Sequence, residues 1–302
     1  MGRSWSIRTV ILALLLTCLA GCGTGSSTTP AGPSTTPAPA AGALRVNEGD
    51  EVTYHTIVKT AFNGRSLSGK TLPVDTPLTG TTALEYDAKL RFDKVVENEA
   101  TVSYSLSGFK VRTEIGGAEL PTATPSAADM HYTMKIDPNT GKLLDVDLGS
   151  EFVGVLTKEQ LMKTLDQTFA HIPSGTKFAP GNSWTMEIPL PVDLSGIQGE
   201  SKVTVTTTYE ADELRDGVKV ARLVITGSGP ITMQGDANGV DFSLKGTIEM
   251  SGVQYLDLKT GLQHSGESRS TFKFTQSMKE AQSGLTIDTE MEATSEISMV
   301  RK

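Results

Sequence analysis

His55, His131, His171 and His264 are the imidazoles that could move a proton or hold a metal. None forms a His-Glu-x-x-His pair or a close cluster, so their spacing builds no zinc-type site. His171 falls at the end of an expected helix, where the dipole favours a charged imidazole without any catalytic role. Ser107–Lys110 and Ser270–Lys273 both fit Ser-x-x-Lys, and Lys259-Thr260-Gly261 fits Lys-Thr-Gly. Such elements can serve a serine nucleophile beside a lysine. That arrangement needs the serine at the start of a buried helix, whereas both copies lie in alternating, strand-like sequence. The Ser-Asp-Asn element is missing, and the Lys-Thr-Gly falls in an expected turn. Asp137, Asn139, Asp145 and Asp147 have calcium-type oxygens, but no Asp-x-Asp-x-Asp-Gly run and no glutamate at the twelfth position. Asp145 and Asp147 instead share one face of a strand. Glu210, Asp212 and Glu213 are read as turn residues, since a general acid and base need a shielded pocket. No catalytic residue, metal ligand or cofactor is expected.

Cys22 is different. Arg3 and Arg8 precede an apolar run from Val10 to Ala20, which ends in Leu19-Ala20-Gly21-Cys22. A basic stretch, a short apolar stretch and small residues make a secretory signal. The run is shorter than the ~20 residues that cross a bilayer as a helix. Its end is similar to the lipobox of bacterial lipoproteins at all four positions. That similarity implies cleavage before Cys22 and acylation of its thiol. Cys18 leaves with the signal, so no disulfide is expected in the mature chain. Anchoring then comes from acyl chains, each buried CH₂ contributing about 0.8 kcal/mol. The partner is a membrane, reached through the lipid.

Residues 22–43 comprise Cys22 and a stretch almost wholly of Gly, Ser, Thr, Pro and Ala without charge. Such a stretch has no apolar surface to bury and reads as a disordered stalk. Residues 44–302 suffice for one large β body or two smaller units. The whole chain carries −8; loss of Arg3 and Arg8 leaves 25 basic against 35 acidic side chains, a net −10. There is no basic cluster outside the signal, which argues against nucleic acid and against adsorption to anionic headgroups.

The elements of the body follow from period two. Ser201–Tyr209, Val218–Ile225, Ile287–Met299, Tyr86–Phe92 and Thr101–Leu106 alternate on a β-branched background. Such runs are half-buried antiparallel strands. Asp137-Pro138-Asn139-Thr140-Gly141 separates Tyr132–Ile136 from Leu143–Leu148 and predicts a tight hairpin. One helix is expected over 157–171. Thr157 and Gln160 make a capping box, Leu161, Leu165 and Phe169 form an apolar stripe with Met162 beside it, and Pro173 ends it.

Gly49-Asp50-Glu51-Val52-Thr53 resembles Gly181-Asn182-Ser183-Trp184-Thr185. The turn at Asn98 matches Asp216-Gly217, Gly108 matches Gly227, and Asp137…Thr140-Gly141 matches Asp257…Thr260-Gly261, at offsets of 118, 119 and 120. The first match is offset by 132, with a polar insertion around Asn63–Thr82 taking up the difference. These ordered offsets predict a duplication. Its parts are a first β unit over 44–150, a helical connector over 151–180 and a second β unit over 181–302. The expected fold class is mainly β, with antiparallel curved sheet in two tandem similar units and one amphipathic helix between them.

The order of lipobox, polar stalk, Gly-Asp-x-x-Thr strand, Asp-x-x-Thr-Gly hairpin, amphipathic helix and Pro180-Gly181-Asn182-Ser183-Trp184 resembles a family of bacterial lipoproteins of uncharacterised activity. It is also similar, more weakly, to LolA-like and LppX-like lipoproteins. That second resemblance implies a curved sheet with an apolar lipid cavity. The expected function is a non-enzymatic, membrane-anchored extracytoplasmic lipoprotein that binds an apolar ligand or lipid. Leu161, Leu165, Phe169 and inward strand residues would line its cavity. The alternative is an interaction or structural protein of the envelope with a filled core, and a hydrolase is the remote third reading.

Overall fold

A computed structural model describes residues 44–69, 75–120, 130–148, 158, 162, 178–194, 197–236, 240–280 and 286–302. Twelve strands are present: β1 (Glu51–Gly69), β2 (Pro77–Val96), β3 (Glu99–Ile115), β4 (Ala118–Leu120), β5 (Met130–Ile136), β6 (Leu143–Leu148), β7 (Ser183–Leu194), β8 (Ile197–Arg215), β9 (Val218–Asp236), β10 (Val240–Asp257), β11 (Gln263–Glu280) and β12 (Thr286–Arg301). They form one open, antiparallel sheet in the order β6-β5-β3-β2-β1-β12-β11-β10-β9-β8-β7, with β4 beside β3. Every run read as a strand from its alternation lies inside one of these. The strands of 44–150 occupy one side of a seam and those of 181–302 the other. The seam is the pairing of β1 with β12, from Tyr54 opposite Arg301 to Gly69 opposite Ile287.

The polar stretch around Asn63–Thr82 is where β1 and β2 run on past the main core, paired from Phe62–Gly80 to Arg65–Pro77. Glu210, Asp212 and Glu213 belong to β8, which corrects the expected turn. The acidic run is tolerated there because cross-strand cations face it. Arg222 pairs with Glu210 and Glu213, and Lys219 Nζ lies 2.7 Å from Asp212. The edge strand β7 carries Pro189 and Pro191, where a missing ladder donor is tolerated, and Pro230 of interior β9 falls where the β8–β9 pairing is interrupted.

One face of the sheet is apolar. Along β1 the even residues Val52, Tyr54, Thr56 and Val58 are buried while their odd neighbours are not. The register carries that face to the even residues of β2 and β11 and the odd residues of β12, β9 and β8. The opposite face holds the ion pairs, among them Lys89–Glu51 (2.8 Å), Lys110–Glu85 (2.6 Å) and Arg269–Glu296 (3.2 Å). Glycines on the apolar face let the strands bend towards it. A Cβ at Gly246 or Gly229 would press into the carbonyl oxygen of the neighbouring strand, at Lys273 or Lys202. Only glycine tolerates that approach.

The two halves repeat local geometry. Gly49 and Gly181 both take positive φ, 88° and 85°, just before their strands. Gly49 donates its amide to Phe92 O at 2.7 Å and Gly181 donates to Tyr209 O at 2.7 Å. The hairpins match bond for bond. Gly141 N donates to Asp137 O (2.7 Å) as Gly261 N does to Asp257 O (2.8 Å). The Thr140 hydroxyl donates to Asp137 Oδ2 (2.7 Å) as that of Thr260 does to Asp257 Oδ2 (2.8 Å).

Of the expected helix, Lys158 and Met162 are described, and both are helical. Met162 packs on the apolar cluster of the first half, and Lys158 Nζ lies 2.6 Å from Asp145 Oδ1. The ammonium holds that carboxyl below the usual range, helped by the Val146 amide. Leu161, Leu165, Phe169, Cys22, the signal and the stalk lie outside the described residues.

Candidate ligand-binding face

The apolar face divides into three clusters. The first, around Val52, Leu90, Phe92, Val102, Met134, Ile136 and Val146, belongs mostly to β1–β6. Its centre is filled: Phe92, Met134, Ile136, Val102 and Val146 are at most 1 % exposed. Leu44 and Met162 pack over it from outside the sheet. A second, small cluster joins Trp184, Met186, Tyr209, Leu223 and Leu256, with Phe178 tilted against Tyr209 at 4.5 Å between centroids.

The third cluster, Ile188, Val203, Val205, Ile225, Ile231, Met233, Ile248, Met250, Phe272 and Ala293, spans β7 to β12. Phe62, Phe242, Leu244 and Phe274 pack against it and stay only partly buried. All four come from the sheet itself, so among the described residues no second layer lies on this region. Large side chains lie across glycines here: Phe62 over Gly80, Met291 over Gly64, Met250 over Gly227 and Phe274 over Gly246. The result is a thin apolar floor with aromatic rings and thioethers, which adapt to irregular partners. What this arrangement offers is desolvation of apolar surface, about 25 cal/mol per Å².

Charged groups collect at the turn end of the sheet. Asp257 is 4 % exposed. Burial works against its charge, yet the amides of Lys259 and Thr260, the Thr260 hydroxyl and the Arg301 guanidinium (3.4 Å) hold its carboxyl below the ordinary value. Burial raises the Tyr54 phenol, whose hydroxyl donates to Gln263 O at 2.9 Å. On the outer face Lys302 Nζ, at 2.7 Å, and then His55 keep Asp87 low.

A cavity of about 430 Å³ lies elsewhere, on the outer face of the first half. Its lining is polar, with Glu51, Lys89, Arg91, Ser103, His131 and Asp147 prominent. The sequence reading did not bring these residues together. They come from five strands, and only the antiparallel register makes them neighbours.

His55 sits 2.8 Å from Asp87 on β1 and β2, His131 lines the polar cavity, and His264 is buried beside Asp216. His171 lies outside the described residues. Of the two Ser-x-x-Lys runs, Ser107 and Lys110 stand opposite Asp87 and Glu85 on the outer face, where Glu85 takes the Lys110 ammonium at 2.6 Å, and the second is split between the faces. Ser270 is on the apolar face and Lys273 on the other, so no hydroxyl meets an ammonium there. Lys259-Thr260-Gly261 is the hairpin turn. Among the described residues no three His, Cys, Asp or Glu side chains gather as a metal site.

No protein-family model and no curated protein sequence matches the chain. Weak similarity extends to solved porin structures. A mutant porin of Rh. blastica shares 6 % identity, with 82 % of this chain and 99 % of that one covered, at a TM-score of 0.20. Acinetobacter baumannii OccAB4 shares 9 % over 84 % of this chain and 100 % of its own, at a TM-score of 0.22. Pseudomonas aeruginosa OccK11 (OpdR) shares 5 % over 86 % and 100 %, at a TM-score of 0.19.

Proposed function

We propose that this chain is an extracytoplasmic lipoprotein, held to a membrane by acyl groups on Cys22, whose sheet carries an apolar ligand and performs no catalysis. The observation that carries this reading is the partly buried floor of Phe242, Leu244 and Phe274 on the second half's apolar face, continued by Phe62 of the adjoining β1, with no sheet layer over it among the described residues. Partly buried aromatic and aliphatic side chains gathered at the margin of a buried cluster supply the apolar lining that a ligand site needs. Duplication of one β unit, with the copies joined through β1 and β12, accounts for the matched hairpins.

Native mass spectrometry of the purified chain tests the ligand. An adduct of lipid mass is expected, and its consistent absence from material purified without detergent counts against the carrier. The anchor is tested separately. Cys22→Ser should leave an unprocessed precursor or release a soluble form; a processed product that still partitions into detergent overturns it.

A second reading, an interaction or structural protein of the envelope, is favoured by the polar lining of the 430 Å³ cavity and the filled first cluster. Capture of an envelope protein that charge reversal at Arg91 abolishes would support it.

A further inference from the structure

Hydroxyl side chains cross the apolar face in register. Thr113 on β3 faces Thr82 on β2, Thr82 faces Thr60 on β1, Thr60 faces Ser295 on β12, and Ser295 faces Ser270 on β11. Five adjacent strands therefore place a Thr or Ser at one level. Beyond β11 the row continues as Met250 and Gly227, without oxygen. Thr60 donates to Ser295 Oγ at 3.3 Å. Ser270 is fully buried, at 0 % exposure, and its Oγ has no hydrogen-bond partner. A buried hydroxyl without an acceptor is costly, and its strand neighbour on the same face is the buried Phe272, beyond which come the partly buried Phe274 and, across the seam, Phe62.

The chemistry of the missing acceptor is constrained. From this row to the far hairpins, the apolar-face positions whose side chains are described are uncharged. The charges on that face sit at the turn end and are paired there, Asp257 with Arg301 and Asp212, which the Tyr209 hydroxyl contacts, with Lys219. Arg301 is roughly 20 Å from Ser295 along β12, at 3.3 Å per residue. A carboxylate or phosphate at Ser270 would find no counter-charge, and burying it there is prohibitive. A neutral carbonyl oxygen would accept the hydroxyl and leave its hydrocarbon on the aromatic floor. We propose that Ser270 and its hydroxyl row seat the ester carbonyl of a neutral lipid, with the acyl chain lying across the second half's floor. This rests on the carrier reading above and names its substrate class.

The test is displacement of a bound apolar fluorophore, N-phenyl-1-naphthylamine, from the full chain by three probes. These are methyl hexadecanoate, octadecane and hexadecanoate at neutral pH. Methyl hexadecanoate should displace the dye at about tenfold lower concentration than octadecane, the increment expected for one buried hydrogen bond. Hexadecanoate should be weaker than the ester. Ser270→Ala should bring ester and alkane to parity while leaving octadecane unchanged, which also reports an intact floor. Equal displacement by ester and alkane in the wild-type chain, or an ester preference that survives Ser270→Ala, overturns this inference alone. Failure of the dye and all three probes to bind overturns the carrier reading and this inference together.

Discussion

The two halves of the sheet start from the same local instructions and use them differently. Both open with a glycine at positive φ before a strand, and both close a hairpin with the same Asp…Thr-Gly bonds. In the first half the apolar face is filled to at most 1 % exposure at Phe92, Met134 and Ile136, with Met162 packed over it. In the second half the centre, Val203 and Ile248, is also at 1 % exposure, but Phe242, Leu244 and Phe274 at its margin, with Phe62 of the adjoining β1, remain only partly buried. The same turn, too, sits in two environments. Asp137 is half-exposed, whereas Asp257 is buried and paired with Arg301. Local sequence therefore sets the turn, while its surroundings set how much depends on it.

The contrast between a buried centre and a partly buried margin gives the largest expected effect. Phe92→Ala should cost about 4 kcal/mol of unfolding free energy, as a large buried side chain leaves a cavity. Phe274→Ala should cost about 1–2 kcal/mol, because its ring is only partly buried, yet weaken dye binding about tenfold. Urea unfolding and dye titration of both variants measure this. Equal losses of stability, or unchanged dye binding in the second variant, would break the distinction.

The matched turns give the next effect. Asp257→Ala removes several hydrogen bonds and strands Arg301, at a cost of about 3 kcal/mol. Asp137→Ala should cost about 1 kcal/mol, since water replaces what the turn loses. Thermal or urea midpoints decide between this and equal effects.

The acid limb is smaller. The Asp257 carboxyl is held below its unfolded value of about 3.9. Its contribution is complete above that pH and is lost as pH falls through the lower folded value. Stability between pH 5 and 2 should fall less steeply in Asp257→Asn than in the wild-type chain.

Much of the fold was legible because alternation and turn chemistry are local. The run Ser201–Tyr209, the Asp137–Gly141 hairpin and the one-sided burial of Val52, Tyr54 and Val58 all follow from period two. β10 was not singled out, since Gly246 and Gly252 interrupt its pattern with residues of low strand propensity. Those glycines are needed because neighbouring strands come too close for a Cβ, a fact visible only once the strands are paired. Glu210, Asp212 and Glu213 looked like a turn for the same reason: Arg222 and Lys219, which neutralise them, lie on the next strand.

By itself the sequence determined the antiparallel strand content, the repeated turns and which side chains of each strand share a face, because these depend on neighbours two to five residues apart. It also determined the lipobox-like segment at Cys22, a linear signal. Tertiary structure alone decided that β1 and β12 join the halves into one sheet, that five hydroxyls on five strands fall at one level, and that Ser270 lacks a partner. Strand order and register bring together residues separated by up to hundreds of positions, and no local period encodes that distance.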